Sequence, residues 1–90
     1  MEITWDDRKE LSNIEKHDVD FAEAATVLLN PLSQMAPNKH PSGMRWEYLG
    51  HSVKERILYV VTVEKDDNHA TIISARKAEN YEREEYEKRL

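Results

Sequence analysis

Lys9, Lys16, His17, Arg45, Arg56, Arg76, Lys77 and Tyr86 are spread along this chain as a set of cations and hydroxyls near the ends of its apolar stretches. Arginine is the informative member. Its planar guanidinium donates two parallel hydrogen bonds that match phosphate oxygens, and it stabilises the charge that builds on a phosphodiester in its transition state. RNA brings its own nucleophile to such a reaction, because the 2′-hydroxyl can attack the adjacent phosphate. The protein then needs a base, an acid for the departing 5′-oxygen and electrostatic support, but no serine or cysteine. Other chemistries are poorly served. The chain has no cysteine, which removes thiolate nucleophiles, disulfides and cysteine-bound zinc. His17, His40, His51 and His69 are scattered, none at HxxxH spacing, so no metal is expected. Gly43 and Gly50 alone cannot build a phosphate-cradling loop, so no nucleotide cofactor is expected either.

Each of these residues also has a plainer reading. Lys16 and His17 fall where a helical pattern stops, and cations there gain roughly 0.3 to 1 kcal/mol from the helix dipole without any catalytic task. Histidine also exchanges protons near neutral pH, so both readings stand. Arg76, between an apolar stretch and a charged helical one, would bind phosphate or tie helix to sheet. Arg45 and Arg56 lie on β-type stretches and would bind phosphate or line a solvated face. Tyr86 is a core residue or a hydroxyl donor, and Glu82, one turn earlier, is placed to orient an arginine or lysine. Trp5, Trp46 and Tyr48 are able to stack bases, although the common side of Trp46 and Tyr48 suits a core.

The elements that must position these groups are readable from pattern. A short β-prone stretch at 3–5 precedes a helix over 8–17, with Asp6 or Asp7 as its N-cap. Leu11 and Ile14 are expected on its buried side; Lys9, Asn13, Lys16 and His17 share another face. Asp18 sits at a left-handed C-terminal position, and Asp20 with Glu23 has capping-box spacing before a second helix that Asn30-Pro31 ends. Residues 32–36 are a plausible strand and 37–43, with two prolines and a glycine, an exposed turn or loop. In 44–50, Met44, Trp46 and Tyr48 alternate with Arg45, Glu47 and Leu49. The stretch 56–64 is the strongest strand signal, 65–68 a hairpin turn, 69–75 its partner, and 77–90 a third helix. The predicted order is β-α-α-β-β-β-β-α with an antiparallel β-meander, an α+β fold.

The 90 residues suit one small domain spanning 1–90. Hydrophobic residues at 39% and charged residues at 34% suit a folded chain, not a disordered one. The net charge of −5 argues against a general nucleic-acid binder, whose affinity comes from cations displacing phosphate counterions. Residues 37–63 nevertheless concentrate Lys39, Arg45, Lys54 and Arg56, which allows a local cationic groove, while the Glu-rich run at 82–87 is most simply a solvated face, or one that repels RNA and leaves that end to a protein partner. No apolar run approaches the roughly 20 residues that cross a bilayer, and the N-terminus lacks the pattern of a secretion signal, so a cytoplasmic protein with no membrane association is expected.

Residues 5–24, Arg45 before Gly50, and 56–87 together resemble the BrnT toxin family of bacterial type II toxin–antitoxin systems. The resemblance rests on Trp5-Asp6, Lys9, Asn13, Lys16-His17, Val19, Phe21, the segment IISARKA at 72–78, Glu82 and Tyr86, in that order and spacing. It implies a RelE-like fold and an RNA-cleaving activity that arrests translation without a metal. It also implies a ribbon-helix-helix (BrnA-like) antitoxin that forms a hetero-oligomer with the toxin and represses the operon. Carried onto this chain, Arg45, Arg56 and Arg76 would hold phosphate, with Lys16, His17 or Tyr86 moving protons. Two positions depart from the family pattern: Asp18 where glycine is usual, and Thr71 where a basic residue is common. These departures and the acidic charge leave a second expectation, a catalytically weak partner that holds its antitoxin and modulates repression. The nuclease expectation requires that folding gather the dispersed guanidinium groups at one concavity.

Overall fold

A computed structural model describes residues 1–41 and 43–90. The elements are β1 (Glu2–Trp5), α1 (Asp7–His17), α2 (Phe21–Leu29), β2 (Gln34–His40), β3 (Gly43–His51), β4 (Ile57–Asp66), β5 (His69–Lys77) and α3 (Asn80–Lys88). The α+β order matches the sequence expectation. Local chemistry sets the boundaries. Asp6 caps α1 by accepting hydrogen bonds from the Arg8 and Lys9 N–H groups, and Asp20 caps α2 by accepting from Glu23. Asp18 closes α1 in the left-handed region (φ 57°, ψ 38°), its N–H returning to the Ile14 carbonyl.

The five strands form one mixed sheet in the order β1-β5-β4-β3-β2. β2 through β5 run as an antiparallel meander, and β1 joins the far edge parallel to β5. α1 and α2 cover one face. There Val19, Phe21, Ala24 and Val27 pack on Tyr48, Leu58, Val60, Ile72 and Ala75. Strand alternation therefore turns Glu47, Leu49, Tyr59, Val61, Ser74 and Arg76 to the opposite face. α3 lies across one end of that second face through the fully buried Tyr86, whose ring is 5.5 Å from that of His51.

Three expectations change. The segment expected as a loop at 37–43 is largely strand, since β2 continues through Pro37, Asn38 and Lys39 to His40. Proline, which lacks an N–H, is tolerated because β2 is an edge strand. Ser42, within that expected loop, lies outside the described residues. The third helix begins at Asn80 and not at Lys77, because Arg76 and Lys77 still pair with Tyr59 and Leu58. On α1, Leu11 and Ile14 are exposed at 68% and 38%, and Asn13 is the buried residue at 6%.

That inversion has a mechanical cause. β1 stops at Trp5, opposite Ile72, leaving the next stretch of β5 with an open edge. Asn13 fills it: its Nδ2 donates to the Ala75 carbonyl at 2.8 Å and its Oδ1 accepts the Ala75 N–H at 3.1 Å. A second Nδ2 bond reaches the Val19 carbonyl at 2.9 Å. One side-chain amide thus stands in for a missing strand and holds α1 against the rim of the sheet.

Candidate active site

Because α1 sits at that rim, its basic face opens beside β5. Lys9, Ser12, Asn13, Lys16 and His17 line a groove of about 280 Å³ together with Ile73 and Ser74. Ile73 is the extra residue of a β-bulge, since Val61 pairs with Ser74 while Thr62 pairs with Ile72. Lys16 and His17 also occupy the last turn of α1, at the helix's negative end, and face this groove.

Ser74 leads to the second face of the sheet. Arg76 is two residues further along β5 and so on the same face, roughly 7 Å away. Its guanidinium lies over the ring of its cross-strand neighbour Tyr59, with Cζ 4.2 Å from the ring centre. Glu82 of α3 grips it: Nη1 donates to Oε1 at 2.7 Å and Nη2 to Oε2 at 3.0 Å. Nη1 also donates to the Lys77 carbonyl at 3.2 Å. The pairing with Glu82 raises the Arg76 pKa and holds the Glu82 carboxyl below its ordinary value. Glu82 and Tyr59, with Glu47, Leu49, Gln34 and Arg89, line a cleft of about 210 Å³. Burial pushes the Tyr59 hydroxyl up to about 12, assisted by a hydrogen bond to Glu47, so the phenol stays protonated at neutral pH. Arg45 shares this face of β3 with Glu47 by alternation.

The remaining sequence candidates lie elsewhere. Arg56, just before β4, belongs to the helix layer. Its Nε donates to Glu23 Oε2 at 3.0 Å, and Nη2 bonds both Glu23 Oε1 and the Asp18 carbonyl. Tyr86 is completely buried, its hydroxyl 3.4 Å from the Leu32 carbonyl. Folding therefore puts Lys16 and His17 at the rim beside Ser74, and Arg76 and Arg45 on the second face with Arg45 two strands away and four residues along β3; Arg56 reaches the Asp18 carbonyl next to His17 from the helix side, and Tyr86 is enclosed. The three arginines do not share one cleft, so the gathering of guanidinium groups at one concavity that the sequence reading required is not found. Trp5, Trp46 and Tyr48 turn toward the helices and pack with the core.

Tyr59 and Glu47 were not singled out from sequence as site residues. Glu47 was placed correctly opposite Trp46 and Tyr48 by alternation, but Tyr59 sits in a continuous apolar run where alternation marks no face. Among the described residues, no group of three or more His, Asp and Glu gathers as a metal would require.

Comparison with known proteins finds a family and solved structures similar to this chain. The family described as ribonuclease toxin, BrnT, of type II toxin-antitoxin system matches residues 5–82. Among solved structures, the 1.1 Å crystal structure of the Brucella abortus ribonuclease toxin BrnT superposes with a TM-score of 0.70. It is 28% identical, and the match covers 89% of this chain and 99% of that one. No curated protein matches significantly.

Proposed function

The chain belongs to the BrnT family of ribonuclease toxins of type II toxin–antitoxin systems, and from that premise we propose that residues 1–90 act as one toxin domain that cleaves RNA without a metal and thereby stops translation. The substrate lies along the rim between α1 and β5 and onto the second face of the sheet. Arg76 and Arg45 hold phosphate there. The 2′-oxygen bonds to phosphorus as the bond to the 5′-oxygen breaks, leaving a 2′,3′-cyclic phosphate and a 5′-hydroxyl. His17 accepts the 2′-hydroxyl proton, and Lys16 delivers one to the departing oxygen. Arg56 and Tyr86 are given no role here, Arg56 because its guanidinium faces Glu23 and the Asp18 carbonyl in the helix layer and not the second face, and Tyr86 because it has no open surface. A ribbon-helix-helix antitoxin is the partner that neutralises the toxin.

The observation that carries this reading is the donor count on Arg76. Glu82 takes the two terminal nitrogens end-on and Lys77 takes one more N–H. Of five N–H groups, the Nε–H and the second Nη2–H remain without a protein partner among the described residues, and these lie on one edge, spaced for two phosphate oxygens. The Arg76 side chain is 29% exposed.

RNA incubated with the protein in EDTA should be cut to cyclic-phosphate ends, and Arg76→Ala should lose most of the activity, on the order of 100-fold. Wild-type activity in that variant would remove Arg76 from the site. One observation favours a second reading, in which the chain mainly holds its antitoxin: Arg56 and Arg76 are both ion-paired internally. Expression of the toxin alone separates the two, since growth arrest relieved by the antitoxin requires the nuclease.

A further inference from the structure

Glu82 is tied to two things at once. Its Oε1 accepts the Glu79 backbone N–H at 2.8 Å, closing a capping box at the start of α3, and the same oxygen accepts Arg76 Nη1. Its own place is therefore fixed by backbone, and it is 11% exposed at the side chain. Tyr59 supplies the second constraint, a ring beneath the guanidinium plane. An end-on carboxylate and a ring below define both the direction and the tilt of a planar group. What they leave is the side edge of Arg76, the Nε–H and the remaining Nη2–H.

We propose that Glu82 and Tyr59 are positioning residues that fix this edge of Arg76 toward the substrate phosphate. Glu82 is thus neither a mask over the arginine nor only the cap of α3. The inference rests on the site described above and makes the Arg76 geometry, and with it the rate of the chemical step, depend on the first turn of α3. A shift of about 1 Å in a catalytic group costs about 100-fold in rate.

The test measures steady-state cleavage of a short RNA, with melting curves, for the full chain and its variants. Glu82→Gln keeps a capping-box side chain but places an amide N–H against Arg76 Nη2. It should lower kcat about 100-fold at near-constant KM, and lower the melting temperature by several degrees as the charged pair is lost, without unfolding the chain. Arg76→Ala is run alongside. If Arg76→Ala is inactive and Glu82→Gln cleaves as fast as wild type or faster, the positioning role is overturned and the site stands. If Arg76→Ala is fully active, the site itself is wrong. Tyr59→Leu removes the platform without touching the α3 cap and provides the second reading should Glu82→Gln unfold. A kcat reduced at constant KM supports the proposal, and an unchanged kcat overturns it.

Discussion

Glu23 is a carboxylate at 3% exposure, and its stability depends on what surrounds it. Burial works to raise its pKa, but hydrogen bonds from Arg56 and Ser52 and the charges of Arg56 and Lys54 outweigh that and hold it below the ordinary value. A depressed folded-state pKa means that the pair contributes stability above the unfolded value of about 4.3, and that this is lost as pH falls through the lower folded value. Glu23→Gln should cost about 2 kcal/mol at pH 7, since a charge-assisted pair of this kind contributes about that much. The deficit should shrink below about pH 4, as the unfolded chain's carboxylate takes up its proton while the folded one still resists it. Urea unfolding across pH measures both. A deficit that stays constant down to pH 3 would mean that charge is not what Glu23 contributes. The pair was not legible in the sequence. Capping-box spacing identified Glu23 as an N3 residue, and its side chain instead reaches Arg56, 33 positions away.

Among the elements, α1 carries the clearest consequence of topology. Its three amide hydrogen bonds from Asn13 satisfy backbone groups of β5 and of the turn after the helix, all out of water. Asn13→Ala strands the Ala75 N–H and two carbonyls, at a cost of about 3 kcal/mol, readable as a fall in the urea midpoint at unchanged slope. Asn13→Asp should be worse, because the oxygen replacing Nδ2 would meet both carbonyls. Loss of less than 1 kcal/mol in the alanine variant would show that water replaces the amide. Capping acids, Asn30-Pro31 and the apolar run before residue 64 made helix and strand order legible. The buried side of α1 was not, because periodicity assigns apolar residues inward, whereas here the contact is with a strand edge whose need is polar. Pairing of β4 with β5 is a further case. A bulge near Lys65 shifts the register by one, and Ile73 shifts it back, so Tyr59 meets Arg76 as a plain hairpin would have placed them.

At the scale of the molecule, the acidic total of −5 hides an uneven distribution. Glu79, Glu82, Glu84, Glu85 and Glu87 gather on α3 or at its start, across one end of the second face beside Arg76, while Lys9, Lys16 and His17 occupy the rim and Arg45 lies further along β3. Composition alone argued against nucleic acid because it averages over both. Thr71 stands on that second face beside Thr4, its hydroxyl 3.2 Å from Thr4 Oγ1, and contributes no charge to it. On the proposed reading, an RNA strand held by Arg76, Arg45, Lys16 and Lys9 would release few counterions. With a log–log salt slope of about −0.7 per phosphate on single strands, binding of an uncleavable 2′-deoxy oligonucleotide should weaken with a slope of roughly −2 to −3. Thr71→Lys should steepen that slope by about 0.7 and tighten binding, whereas Lys54→Ala, on the opposite side with Asp20 and Glu23, should leave it unchanged. A slope near zero in wild type, or a Lys54→Ala effect equal to that of Lys16→Ala, would place the nucleic acid on another surface and take the catalytic assignment of the rim with it.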